Sequence, residues 1–136
     1  MRKWLLLFGL LAVGFAATSS KPAVDRIAEA IATAEGYFVA GSRPERNNNP
    51  GNLTDDFGYQ TIGKDGSFPV FVNAAAGWAA LKDQVRMMLD GTSRHYRPDM
   101  TIAEMAAVYT ATEKDAWAAN VARELGVSTE TPINQV

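Results

Sequence analysis

Glu35 is an acidic residue at a position where the helical pattern predicts an apolar one. Residues 24–35 carry apolar side chains at helical spacing, and at about 100° per residue Glu35 falls within about 20° of Val24 and Ala28. Its carboxyl also lies in the last turn before Gly36, where the helix dipole disfavours negative charge. Because burial and the helix end both oppose ionisation, we predict a raised pKa for Glu35.

A carboxylic acid that keeps its proton near neutral pH can act as a general acid. Cleavage of a glycosidic bond needs such a group, because the leaving sugar oxygen must gain a proton as the bond breaks. The alternative is a frayed helix end with Glu35 turned to solvent, where acidic side chains usually lie.

The segment after this helix, residues 41–52, is rich in breakers and is predicted to be a loop. Three successive asparagines, Asn47, Asn48 and Asn49, precede Pro50-Gly51-Asn52. Their amides offer donors and acceptors that suit a polar, uncharged ligand such as a sugar with hydroxyl and acetamido groups. Since the same residue types also build ordinary surface turns, composition alone leaves both interpretations open.

The elements that must position these residues form a segregated α+β order. Residues 53–72 hold short runs of β-forming residues around an Asp65-Gly66 turn, which indicates a hairpin or a three-stranded sheet with a first strand at Leu53-Thr54. Residues 127–136 are expected to be a loosely held tail. Three further helices are predicted to open at Asn73, Thr101 and Thr112. The fold class is therefore α+β, with a cleft expected between the β region and the helices.

Residues 1–20 have the pattern of a secretory signal, with Arg2 and Lys3 before an apolar run and small residues at its end. The apolar run is shorter than the roughly 20 residues that a spanning helix needs, which favours a cleaved signal over an uncleaved membrane anchor. We expect an exported protein, periplasmic or secreted, with no stable membrane span after cleavage. Residues 21–136 are expected to form one domain.

Composition excludes several classes of function. The net charge is −2, and loss of the two basic signal residues would make it more negative, whereas a nucleic-acid binder should be basic. The chain has no cysteine, so it cannot be a thiol enzyme, a lipoprotein or a cysteine-ligated zinc protein. A single histidine, His95, argues against most histidine-based triads and metal sites. We predict no cofactor, no metal, no nucleic-acid partner and a monomeric protein.

Four stretches together resemble the lysozyme superfamily. A helix ending in Ala-Glu-Gly-Tyr is followed by Asn-Asn-Asn-Pro-Gly-Asn-Leu at residues 47–53, and then by "FPVFVNAAAGWAAL" and "TIAEMAAVYTAT". In motif and order they look like phage and bacterial muramidase or lytic transglycosylase domains, and they are similar to bacterial endo-β-N-acetylglucosaminidases. The resemblance covers residues 24–127 and implies a lysozyme-like fold acting on the glycan strands of peptidoglycan.

The resemblance also implies roles for individual residues. Glu35 would be the general acid, and the base in a second step. Asn48, Asn49 and Asn52 would line the sugar site or hold the loop beside it, and Gln60 would contact the acetamido group. Tyr109 would stand near the acid and the substrate, in a segment that reads Tyr-Thr-Ala-Thr where transglycosylases have Tyr-Asn-Ala-Gly.

A hydrolase with two carboxylates needs a second acid roughly 5 to 9.5 Å from the first. The candidates, all in turns or loops where acids are common, are Glu45, Asp55, Asp56 and Asp65. None is convincing, which favours a lytic transglycosylase with one glutamate, acting on β-1,4 bonds between N-acetyl amino sugars. The alternative is a catalytically weak or inactive glycan-binding or structural module of a cell-wall-spanning assembly.

Three other side chains are of types that also occur at sugar sites. Trp78 and Trp117 lie on the apolar stripes of their helices and are expected in the core. His95, between Arg94 and Tyr96, is expected in a solvated basic connector.

Overall fold

The computed structural model describes residues 21–136, so the predicted signal at residues 1–20 lies outside the described residues. The described chain combines α-helices with one small antiparallel sheet, which confirms the α+β class. The elements, in chain order, are α1 (Ala23–Glu35), α2 (Arg43–Arg46), β1 (Thr61–Asp65), β2 (Phe68–Phe71), α3 (Ala74–Asp90), α4 (Ile102–Tyr109), α5 (Lys114–Leu125) and a closing 3-10 turn, Ile133–Gln135.

Local signals in the sequence place most helix ends correctly. α1 stops at Gly36, whose φ of 83° is the left-handed conformation that glycine adopts at little cost. α3 begins where the Asn73 side chain accepts the Ala76 N–H, and α4 begins with the capping box of Thr101 and Glu104. These starts confirm the predictions made for both helices.

The cap predicted for α5 at Thr112 is wrong by one residue. α5 begins at Lys114 after Glu113, which has a φ of 54° and makes no capping bond through its side chain. The Thr112 carbonyl instead accepts the Thr110 hydroxyl in a local turn, so Thr112 belongs to the connection between α4 and α5.

The β region has two strands in the described chain. β1 and β2 form a hairpin across the predicted Asp65-Gly66 turn, with Asp65 opposite Phe68. The third strand considered at Leu53-Thr54 is absent from this sheet, because the Leu53 N–H is taken by the Asn49 side chain at 2.8 Å.

The segment 41–52 is less irregular than predicted. It contains the single turn α2, which forms because the Ser42 hydroxyl accepts the Glu45 N–H and Pro44 lies in the first turn. The remaining residues, 47–52, pack against the hairpin and α3, as the Asn47 carbonyl accepts the Phe71 N–H at 3.0 Å.

Helices α1, α3, α4 and α5 enclose one hydrophobic core, in which α1 packs on α5 and on α3. The prediction of a loose C-terminal tail is wrong. Ile133 is 1% exposed, its N–H donates to the Met100 carbonyl at 2.8 Å, and Pro132 bridges to Thr101. Over residues 21–136, no helix is long and apolar enough to cross a membrane.

Candidate active site

Glu35 lines a pocket of about 600 Å³. The polar side chains around it come from separate parts of the chain: Asn52 and Asp55 from the segment before the hairpin, Gln84 from α3, and Tyr109 from the end of α4. Phe68 of the hairpin and Tyr96 of the connector before α4 also line it. The carboxyl predicted to be functional therefore faces a polar pocket built by both the helical and the β parts of the fold.

The Glu35 carboxyl is held by Trp117 of α5. The indole Nε1–H donates to Glu35 Oε2 at 2.7 Å, and Trp117 is 6% exposed. The Tyr109 ring stacks on Trp117 with centroids 4.8 Å apart, which limits movement of the indole. Because Glu35 accepts a hydrogen bond from this buried indole, the alternative of a frayed helix end with Glu35 turned to solvent is wrong.

Burial raises the pKa of Glu35 above its ordinary value, as predicted. The Trp117 N–H and the Asn52 side chain act in the opposite direction, because hydrogen bonds to a carboxylate favour its ionised form. Desolvation is the larger effect. The site thus combines a carboxyl whose pKa is raised by burial with two side chains positioned to stabilise the carboxylate form.

Removing the indole donor should raise the pKa of Glu35 further. In Trp117→Phe the ring can still stack on Tyr109, but the carboxylate loses its N–H partner. We expect an NMR titration of the labelled Glu35 carboxyl to move to higher pH. Trp78→Phe is the matched control, because Trp78 packs on Tyr37 and Phe38. An unchanged or lower pKa in Trp117→Phe would contradict this account of the site.

The raised pKa also links folding stability to pH. The folded protein binds the Glu35 proton more tightly than the unfolded chain, where the pKa is about 4.5. The stabilisation from protonated Glu35 is therefore fully present below that value and is lost as pH rises through the folded pKa.

Glu35→Gln should show this linkage by difference. As pH rises through the folded pKa of Glu35, the free energy of unfolding of the variant should increase relative to that of the parent. The parent loses stability when Glu35 ionises, whereas glutamine does not ionise. Urea unfolding of both proteins between pH 4 and pH 8 measures the difference, in which the other carboxyls cancel. A difference that does not change with pH would show that the carboxyl is not perturbed by folding.

Of the three asparagines predicted at the site, the structure places Asn52 in the pocket. Asn52 has a φ of 47°, and its buried Oδ1 has no hydrogen-bond partner among the described residues. Asn49 is completely buried; its Nδ2 donates to the carbonyls of Leu53 and Pro69, which ties the loop to the hairpin. Asn48 donates to the Phe71 carbonyl at 3.2 Å and does not line the pocket. Asn48 and Asn49 thus hold the loop, which is the second of the roles considered for them.

The two remaining predicted residues have different positions. Gln60 is exposed, does not line the pocket, and contributes its backbone carbonyl to Val72. Tyr109 lines the pocket, and its hydroxyl donates to the Gly51 carbonyl at 2.7 Å. Burial, and then the nearby Glu35, raise the pKa of Tyr109 well above its ordinary value, so the phenol stays protonated and holds the loop.

Asp55 is the one of the four candidate second acids that lines the pocket. Its Oδ1 accepts the Phe57 N–H at 2.8 Å. Of the others, Glu45 accepts the Gly41 N–H, Asp56 accepts the Gly58 N–H, and Asp65 lies 3.6 Å from the Arg43 guanidinium. These contacts give those three acids local structural roles.

Two residues of the site, one lining the pocket and one bonded to Glu35, were predicted from the sequence only in part or not at all. Gln84 had no motif that marked it, and its buried Nε2 has no hydrogen-bond partner among the described residues. Trp117 was expected in the core, where it lies, but its N–H partner is 82 residues earlier and no local pattern signals that pairing.

Glu35 also lines a smaller pocket of about 220 Å³, which is bordered by Trp117, Thr112 and Asn120. Comparisons of the chain with protein-family models, with curated proteins and with solved structures found no match.

Proposed function

We propose that the protein is an exported peptidoglycan-cleaving glycosidase with a lysozyme-like fold, in which Glu35 is the general acid and base. The observation that carries the proposal is a carboxyl of raised pKa, bound to Trp117 and lining a polar pocket of about 600 Å³. The pocket, bordered by the hairpin and the helices, would be part of the substrate cleft. The motif resemblance at residues 24–127 supplies the substrate class, the β-1,4-linked N-acetyl amino sugars.

In the first step the Glu35 carboxyl would donate its proton to the glycosidic oxygen as the bond from that oxygen to C1 of the neighbouring sugar breaks. The resulting carboxylate is accommodated, because the Trp117 N–H and the Asn52 side chain favour the ionised form. The same carboxylate would then accept the proton of the 6-hydroxyl of the sugar that carries this C1, as the oxygen of that hydroxyl bonds to C1. This second step defines a lytic transglycosylase and requires no second protein carboxylate.

A hydrolase mechanism would assign a role to Asp55, the other carboxylate of this pocket. Its engagement with the Phe57 N–H gives it a structural function, which supports the route with one glutamate. Asp55→Asn separates the two routes: the variant should retain cleavage if Glu35 acts alone.

The second candidate is a glycan-binding or structural module that does not cleave. The observation that favours it is Tyr109, whose hydroxyl is committed to the Gly51 carbonyl instead of being free for substrate, within a segment that departs from the transglycosylase motif. Such a module would bind purified wall and release no fragment.

The deciding experiment is product analysis. The purified protein is incubated with cell-wall sacculi, and soluble fragments are identified by mass spectrometry. A 1,6-anhydro end is the expected result, a reducing end would indicate a hydrolase, and binding without fragments would establish the non-cleaving module. Sequencing the N-terminus of the secreted protein tests export through residues 1–20.

A further inference from the structure

A third pocket, of about 480 Å³, adjoins the 600 Å³ pocket of Glu35, and we refer to it as the basic annex. The residues that line the annex alone are Met87 of α3 and three residues of the connector between α3 and α4, including Arg94. The two pockets share a wall that contains Asp55, Gln84 and His95. A substituent on a sugar bound in the first pocket could therefore extend into the annex without leaving the protein surface.

Arg94 gives the annex a cationic group that no side chain of residues 21–136 pairs with. Arg97, in the same connector, pairs with Asp99 at 3.2 Å, whereas Arg94 forms no ion pair within residues 21–136. A guanidinium in this position can bind a carboxylate through two parallel hydrogen bonds. The annex thus offers a charged group that can bind an anion, whereas the loop at residues 47–52 offers only neutral amides.

The connector that carries Arg94 is anchored on both sides of that residue. The Ser93 hydroxyl accepts the N–H groups of His95 and Tyr96, both at 3.2 Å, and the Tyr96 side chain is buried in the core. Asp90 accepts both the N–H and the hydroxyl of Thr92. Because the backbone is already fixed, little loop ordering is required on binding, which favours a specific contact over a diffuse one.

We propose that the basic annex binds the peptide branch of peptidoglycan, with Arg94 binding a peptide carboxylate; this inference rests on the proposed function. The branch is attached to every second sugar of the strand and carries carboxylates together with a free amine. Asp55 on the shared wall complements that amine. Arg94 is then a specificity-determining residue, and the enzyme prefers strands that still carry their peptides.

The test is a binding measurement in the Glu35→Gln background, which keeps the ligand intact. Two probes are compared by isothermal titration calorimetry: a glycan fragment bearing its peptides, and the same fragment after an amidase has removed them. We expect the peptide-bearing fragment to bind about three- to tenfold more tightly, as a partly exposed Arg–carboxylate contact allows. The preference should shrink at high salt, because exposed charges are screened.

Adding Arg94→Gln should abolish the preference and leave the affinity for the bare glycan unchanged. Arg97→Gln is the matched control on the same connector and should retain the preference, because Arg97 is paired with Asp99. Equal binding of the two fragments, or a preference that survives Arg94→Gln, overturns the inference while the proposed function stands. Failure to bind either fragment overturns the proposed function and this inference with it.

Discussion

Glu35→Gln should cleave cell-wall glycan about 10²- to 10⁴-fold more slowly than the parent protein, the range that a positioned general acid contributes. Glutamine has nearly the same shape and can still accept the Trp117 N–H, so the pocket should keep its geometry. What it lacks is the transferable proton. Release of soluble fragments from sacculi at fixed protein concentration measures the effect.

The matched control is Glu29→Gln, the same chemical change on the same helix. Glu29 is exposed and paired with Lys21 at 2.9 Å, and it does not line the pocket with Glu35. Its removal should leave the cleavage rate within about twofold of the parent, since exposed ion pairs contribute little. If Glu35→Gln cleaved as fast as Glu29→Gln, the acid role assigned to Glu35 would be wrong.

Gly77→Ala should destabilise the protein by about 2 to 4 kcal/mol, although alanine is the better helix former. A Cβ at this position of α3 would lie 1.8 Å from the Asn48 carbonyl oxygen and 2.9 Å from Pro50 Cδ. The first of these is a backbone atom of the docked loop, which cannot move as a flexible side chain would. The loop must separate from α3, and with it Asn52 and the Gly51 carbonyl that holds Tyr109.

Chemical denaturation and the near-UV spectrum together measure this effect. Ala75→Gly, an exposed site on the same helix, is the reverse substitution and should cost about 1 kcal/mol through helix propensity alone. Helix propensity alone would make Gly77→Ala more stable than the parent and Ala75→Gly less stable, so a loss of stability in both variants assigns the Gly77 effect to packing. A Gly77→Ala protein at least as stable as the parent would mean that the loop does not rest on α3 at this point.

The sequence predicts most of the helical framework because the signals for it are local. The Asn73 cap, the Thr101 capping box and the glycines at 36, 91 and 126 act within a few residues of the ends that they define. Thr112 looks equally suitable as a cap, but its carbonyl is used by Thr110, and α5 starts later. That choice depends on a competing turn, which residue type does not reveal.

The candidate site is predicted in part for a related reason. Glu35 stands out because its acidity conflicts with the apolar stripe of α1, and the structure confirms its burial and the direction of its pKa shift. Asn48, Asn49 and Asn52 have the same side chain. Only the fold determines that the Asn49 amide forms hydrogen bonds within the loop while Asn52 lines the pocket. Tertiary contacts also explain the tail, where Ile133 fills the core beside Met100.

The bond between Glu35 and Trp117 joins the first described helix to the last, across 82 positions. During synthesis the carboxyl emerges long before the indole that fixes it, so an incomplete chain leaves Glu35 in water, ionised at neutral pH and without a proton to donate. A single cut in the exposed stretch 111–113 would have a similar effect if α5 then separated from α1. The raised pKa of Glu35 is thus a property of the finished chain, and it can be lost without any change at Glu35 itself.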